Sequence, residues 1–168
     1  MVDIYIGIGS NINPKKHISQ ALDLLKSLYP SITVSRTFES ESVGFKGDNF
    51  LNLVAKFNLN EPQESSNDQS LEQLNVIIKQ LKEIENQLGR DRLSKKFSAR
   101  NIDIDILLFG ELKINNPIVL PREEILENAY VLWPLSELSP ELKALNSRKS
   151  YAEYWQQYDK SKQKLHPI

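Results

Sequence analysis

The sequence contains no cysteine among its 168 residues. Disulfides, thiolate zinc sites and cysteine nucleophiles are therefore excluded together. Histidine is almost as scarce: there are only two, His17 and His166, near opposite ends of the sequence. A histidine-based acid–base machine or a histidine-rich metal site is not expected from so few. An excess of one charge is also missing, because 21 Lys and Arg face 22 Asp and Glu, a net charge of −1. That balance does not make the strongly basic surface that duplex nucleic acid requires. No stretch approaches the ~18 consecutive apolar residues of a membrane span. The apolar run from Met1 to Ile8 is short and broken by Asp3. With no basic segment before it and no small-residue cleavage site after it, it is not read as a signal peptide. The expectation is a cytoplasmic protein with no nucleic-acid and no membrane partner.

What is present is ordinary globular material, with 40% apolar and 26% charged residues. A chain of this length buries roughly 70% of its unfolded surface and needs no staples. One domain over 1–168 is expected, with a polar, helical tail over 147–168. Ile4, Ile6 and Ile8 alternate with Tyr5 and Gly7, the pattern of a buried first strand. Gly9-Ser10-Asn11 reads as a turn, and Asn13-Pro14 as an N-cap and first helical residue. Ile18, Ala21, Leu22, Leu25 and Leu28 then form one helical face over 14–28. A strand over 32–38 and a β-rich run from Phe50 to Leu59 are expected to pair antiparallel. Ser70 and Gln73 suggest a capping box for an amphipathic helix that ends at Gly89. Ile102 to Phe109 is the strongest strand in the sequence, and Gly110 turns the chain after it. Glu123 to Glu127 is expected to be helical. The order β-α-β-β-α-β predicts an α+β, ferredoxin-like core: an antiparallel sheet with both helices on one face and an extra C-terminal segment. A fold of this kind decides nothing about chemistry.

The sharpest feature is Asn101-Ile102-Asp103-Ile104-Asp105-Ile106. Strand alternation sends Asp103 and Asp105 to one face and the three isoleucines to the other. Two carboxylates about 7 Å apart along a strand repel each other. Oxygen ligands with no histidine or cysteine nearby favour magnesium, which commonly shares its shell with substrate phosphates. The bland alternative is a strand face turned to water. Directly before this strand, Gly89 to Arg100 holds five basic residues in twelve positions: Arg90, Arg92, Lys95, Lys96 and Arg100. Arginine forks and lysine charges suit phosphate oxygens, and with a divalent cation they are the parts that phosphoryl transfer requires. Such a stretch also reads as a solvated basic loop. Ile8-Gly9-Ser10-Asn11 lacks the P-loop and Gly-x-Gly-x-x-Gly patterns. Phe50, Asn52 and Tyr130 could line a pocket for a flat ligand, although single aromatics are mostly core.

From Tyr5 to about Leu142 the sequence resembles the 6-hydroxymethyl-7,8-dihydropterin pyrophosphokinase family of folate synthesis. The resemblance rests on Ile8-Gly9-Ser10-Asn11, Phe50-Leu51-Asn52, Ile84-Glu85, Gly89-Arg90-x-Arg92, Arg100-Asn101-Ile102-Asp103-Ile104-Asp105, Leu107-Leu108-Phe109-Gly110 and Tyr130-Val131-Leu132-Trp133-Pro134-Leu135. It implies transfer of pyrophosphate from ATP, the co-substrate, to the hydroxymethyl group of a reduced pterin, with release of AMP. It also implies two Mg²⁺ held by Asp103 and Asp105, with Asp103 near the pterin hydroxyl. Phe50 and Tyr130 match the aromatics that sandwich the pterin, Asn52 matches a bond to its polar edge, and Ser42-Val43-Gly44 matches the backbone that reads that edge. Arg100 matches a phosphate-binding arginine, and Arg90 and Arg92 match a catalytic loop that closes over ATP. Glu85 matches a ribose-side contact, while Ile106 and Val119 fall where the family packs adenine. The partners implied are small molecules, and the expected state is a monomer. The family usually has histidine where this chain has Arg122, and arginine where it has Asn128. It also has tryptophan in place of Phe97, Gly-Pro in place of Ser98-Ala99, and arginine in place of Lys96. These departures weigh on the nucleotide, with Arg122 as a candidate replacement contact to ATP. A divergent non-catalytic relative and a nucleotidyltransferase remain as alternative readings.

Overall fold

The computed structural model describes residues 1–40, 49–61, 67–89 and 101–168. Among the described residues the strands are β1 (Val2–Ser10), β2 (Thr33–Val34), β3 (Phe38–Ser40), β4 (Phe50–Leu59), β5 (Asp103–Phe109) and β6 (Leu165–Pro167). The helices are α1 (Pro14–Leu28), α2 (Asn67–Gln87), α3 (Glu124–Glu127), α4 (Ala129–Leu138) and α5 (Tyr151–Gln157). The sheet runs β5-β1-β4-β3-β6, with β2 beside β4, and every pairing is antiparallel. With β2 and β3 together filling the place of the second strand, β1, α1, β4, α2 and β5 complete the ferredoxin-like order expected from the sequence.

Alternation decides the layers. Ile4, Ile6 and Ile8 of β1 and Ile102, Ile104 and Ile106 of the β5 region pack with Ile18, Leu25, Leu74, Ile77 and Leu81 of the two helices. This face holds the main core. The opposite face carries Tyr5, Val54, Leu107 and Leu108, which pack with Val131, Leu132 and Leu135 of α4 and Tyr151 of α5. A register shift between Tyr5 and Ile6 makes room for both Leu107 and Leu108 on that side. The residues from 147 onward are built into the fold. β6 pairs with β3, and Tyr151 and Leu165 are buried.

Four local expectations need correction. Gly9 and Ser10 are not a turn but the end of β1, because β4 pairs with both and β5 pairs with Gly9. The strand over 32–38 is interrupted. The Ser35 hydroxyl accepts the amide of Val54 at 3.0 Å where a backbone carbonyl would serve. Pairing slips by one residue between Val34↔Ala55 and Phe38↔Asn52. The helix expected from Ser70 begins at Asn67, and Gln73 donates instead to the Asn60 carbonyl at 3.1 Å, so there is no Ser70–Gln73 box. Asn13 does precede Pro14 at the head of α1, but in a left-handed conformation and without a side-chain cap bond. His17, the first of the two histidines, is a structural residue, its Nδ1 donating to the Ile12 carbonyl.

Candidate active site

The site is laid out by strand register. Gly9 pairs with Asp103 on one side and with Asn52 on the other, and Gly7 pairs with Asp105 and Val54. Cross-strand partners project from the same face, so Asp103, Gly9 and Asn52 form a row. Gly9 contributes no side chain and leaves a floor between Asp103 and the Asn52 amide, whereas the Leu107 side chain packs over Gly7. Phe50, two residues from Asn52, shares that face. A β-carbon added at Gly9 would lie 2.8 Å from Asn52 Oδ1, and the Asn52 amide is itself held by donating Nδ2 to Ser40 Oγ at 3.0 Å. Gly9→Ala is therefore expected to displace Asn52 and weaken ligand binding on this floor about fivefold, the size of one lost hydrogen bond. Calorimetry on the folded variant checks it; unchanged ligand binding would show that Asn52 does not need its present position.

The strand alternation predicted for β5 is present. Ile102, Ile104 and Ile106 are buried, while Asp103 and Asp105 are partly exposed on the other face. Asp105 sits in an unfavourable place for a charge. Burial, then the neighbouring Asp103, with smaller contributions from Glu124 and Glu85, outweighs the attraction of Arg122 and pushes its carboxyl up to about 6. Arg122 Nη2 lies 3.8 Å from Asp105 Oδ1 and Nη1 lies 3.9 Å from Glu124 Oε1. β5 is a sheet edge, and some of its outward backbone groups are taken up by groups of Arg122 and Glu85. Arg122 donates Nε to the Ile106 carbonyl at 3.0 Å and its own amide to the Leu107 carbonyl at 3.0 Å. Glu85, buried on α2, accepts the amide of Ile104 at 3.2 Å.

Tyr130, in the first turn of α4, adjoins the same acidic group. Burial first, and then Glu124, Asp105 and Asp103, push its phenol up to about 12, so it stays protonated. Of the residues expected along an adenine, Val119 is exposed, whereas the Ile106 side chain lies in the helix-side core and offers only backbone to the β5 edge. Ser42, Val43, Arg90, Arg92 and Arg100 lie outside the described residues. Described residues on either side of residues 90–100 are in contact: Asn101 Nδ2 donates to the carbonyls of Leu88 and Gly89 at 2.9 and 3.0 Å. Glu124 was missed by the sequence reading, because only the path of the chain after β5 brings it to Arg122 and Asp105.

The donor set fits a hard divalent cation shared with an anionic ligand. Among the described residues no three His, Asp or Glu side chains gather into a metal site. Two aspartates would thus supply part of a shell, the rest coming from phosphate oxygens and water. The repulsion that raises Asp105 is the kind that a bound cation relieves.

The class is that of an α+β protein with an antiparallel ferredoxin-like sheet that carries an acidic pair and an arginine at one edge. The sequence profile of the family described as 7,8-dihydro-6-hydroxymethylpterin-pyrophosphokinase (HPPK) matches residues 5–140. The protein of Haemophilus influenzae named 2-amino-4-hydroxy-6-hydroxymethyldihydropteridine pyrophosphokinase is 30% identical over 153 residues, covering 88% of each chain. Its namesake from Pseudomonas aeruginosa is 31% identical over 150 residues, covering 86% of this chain and 85% of that one. The crystal structure of Plasmodium falciparum HPPK-DHPS superposes with a TM-score of 0.65 at 15% identity, over 94% of this chain and 44% of that longer one, and so speaks to the fold. The chain belongs to the 7,8-dihydro-6-hydroxymethylpterin-pyrophosphokinase family.

Proposed function

We propose that this protein transfers the terminal pyrophosphate of ATP to the hydroxymethyl group of 6-hydroxymethyl-7,8-dihydropterin, releasing AMP, in folate biosynthesis. The observation that carries the site assignment is the row Asp103–Gly9–Asn52, with Asp105 beside it under electrostatic stress. Asp103 and Asp105 would hold magnesium, which when bound neutralises and orients triphosphate oxygens. Asp103 also faces the floor on which the pterin lies, between Phe50 and Tyr130, with Asn52 and the backbone at Ser42 and Val43 on its polar edge. Arg122 lines the β5 edge where the phosphates would run, and Arg100, with Arg90 and Arg92 of the basic stretch, is assigned to the same phosphates. Glu85, the backbone of Ile106 and the side chain of Val119 form the nucleoside side. The attacking alcohol is neutral and the phosphate chain strongly anionic. Positioning and charge stabilisation therefore dominate the barrier, in keeping with a site where the described residues place no histidine.

We read the protein as a monomer acting on small molecules. Among the described residues no helix is long and apolar enough to cross a membrane, and we place the reaction in the cytoplasm with its soluble substrates. Incubation with ATP, the reduced pterin and magnesium tests the reading: AMP and pterin pyrophosphate are expected. Release of inorganic pyrophosphate would instead mark nucleotidyl transfer, and binding of both ligands with no product would mark a non-catalytic relative.

A further inference from the structure

The first turn of α4, which carries Tyr130, is held from outside. Pro134 lies inside the helix and has no N–H to give the Tyr130 carbonyl. At the head of the helix, Asn128 occupies the N-cap position, yet its side chain makes no cap bond, although asparagine is among the best residues for that task. The capping comes from Gln163, near β6. Its Oε1 accepts the amide of Ala129 at 2.7 Å, and its Nε2 donates to Asn128 Oδ1 at 3.0 Å. Asn128 in turn donates Nδ2 to the Tyr130 hydroxyl at 3.0 Å. Tyr158 adds a third tie, donating to the Glu127 carbonyl at 2.8 Å.

The chain of bonds has one consistent direction: Ala129 amide to Gln163, Gln163 to Asn128, Asn128 to Tyr130. Each carboxamide uses both its oxygen and its nitrogen: turning Gln163 over would break two bonds, and turning Asn128 over would break its bond to Gln163. Such relays also polarise along their length. Gln163 lies beyond residues 5–140, the part of the chain that matches the family profile, and 35 residues from the Asn128 it contacts.

We propose that Gln163 is a positioning residue for the pterin: through Asn128 it fixes the Tyr130 phenol, so that a segment outside the family-matched residues sets pterin affinity. The proposal rests on the reading of Tyr130 as one wall of the pterin site. It gives Asn128 a task unrelated to the phosphate contact of the arginine that the family usually has there.

The test is a double-mutant cycle on pterin binding. Dissociation constants of the reduced pterin, with saturating magnesium and a non-hydrolysable ATP analogue, are measured by calorimetry for wild type, Gln163→Leu, Asn128→Ala, Tyr130→Phe and the two doubles. Gln163→Leu and Asn128→Ala are each expected to weaken pterin binding about fivefold. Affinity for the ATP analogue should stay within about twofold, and neither change should weaken pterin binding further when combined with Tyr130→Phe. Asn128→Ala leaves the Gln163 bond to Ala129 in place, so it carries the test even if Gln163→Leu fails to fold. Equal losses with and without the Tyr130→Phe substitution would reduce Gln163 to a structural cap and overturn the relay. Normal binding by Asn128→Ala would overturn it too. Tyr130→Ala separates the stacking reading from the relay: normal pterin binding there would overturn both together. Loss of binding there, with no effect of Asn128→Ala, would overturn the relay alone.

Discussion

Asp105→Asn is expected to lower pyrophosphoryl transfer by about a thousandfold, the scale seen when a group that stabilises transition-state charge is removed, and at the same time to raise the melting temperature of the ligand-free protein. The two effects have one cause. The Asp105 carboxyl is pushed up to about 6 from an ordinary 3.8 by burial and by Asp103, so the folded protein binds that proton more tightly than the unfolded chain does. The associated stability is present in full below about pH 4 and is lost as pH rises through 6. At neutral pH the ionised carboxylate therefore works against the fold, and Asn relieves it. Asp105 is 43% exposed, and water screens much of the repulsion, so a rise of about 2 °C is expected. Melts at pH 7.5 and pH 4.5 check the sign: the variant's advantage should shrink at the lower pH. Magnesium with an ATP analogue should stabilise wild type and not the variant. Full activity in Asp105→Asn, or in the parallel Asp103→Asn, would remove the carboxylates from the mechanism.

Phe50→Ala is the second large effect, and it should be selective. A flat heterocycle stacked on an aromatic ring gains both buried apolar area and face-to-face contact, together about 2 kcal/mol, or roughly thirtyfold in affinity. Phe50 lies at the β4 end of the row that runs through Asn52 and Gly9 to Asp103, whereas the phosphate-facing Arg122 lies across the sheet at the β5 edge. Pterin affinity should therefore fall by that factor while affinity for the ATP analogue changes by less than about twofold. Calorimetric titration of each ligand separates them, and an unchanged pterin affinity would dismiss the stacking assignment.

Strand alternation made the most informative part of the site legible in the sequence. The period of two over Ile102–Ile106 places two acids on one face and three isoleucines in the core, and the structure has that arrangement. The helical periods of α1 and α2 and the left-handed Gly89 after α2 were readable for the same local reason. Where the reading failed, tertiary pairing prevailed over local chemistry. Gly9-Ser10 has the composition of a turn, but β4 pairs with both residues and β5 with Gly9, so it stays extended, and it is there that glycine's missing side chain becomes the floor of the site. Val131 to Leu135 reads only as an apolar run. It is helical with Pro134 inside, held against the sheet by buried Leu132 and Leu135. Glu124 and Gln163 had no signal at all, since each reaches the site through contacts distant in sequence. The placement of Tyr130 beside the acidic pair, and of Arg122 at the β5 edge, follows from no period in the chain.

A crystal structure with magnesium, a non-hydrolysable ATP analogue and the reduced pterin tests the central claim most directly. The expected result is metal density about 2.1 Å from carboxylate oxygens of Asp103 and Asp105, bridging to the triphosphate, with the pterin on the Gly9 floor. Nucleotide and metal bound elsewhere, with both aspartates facing bulk water, would contradict it.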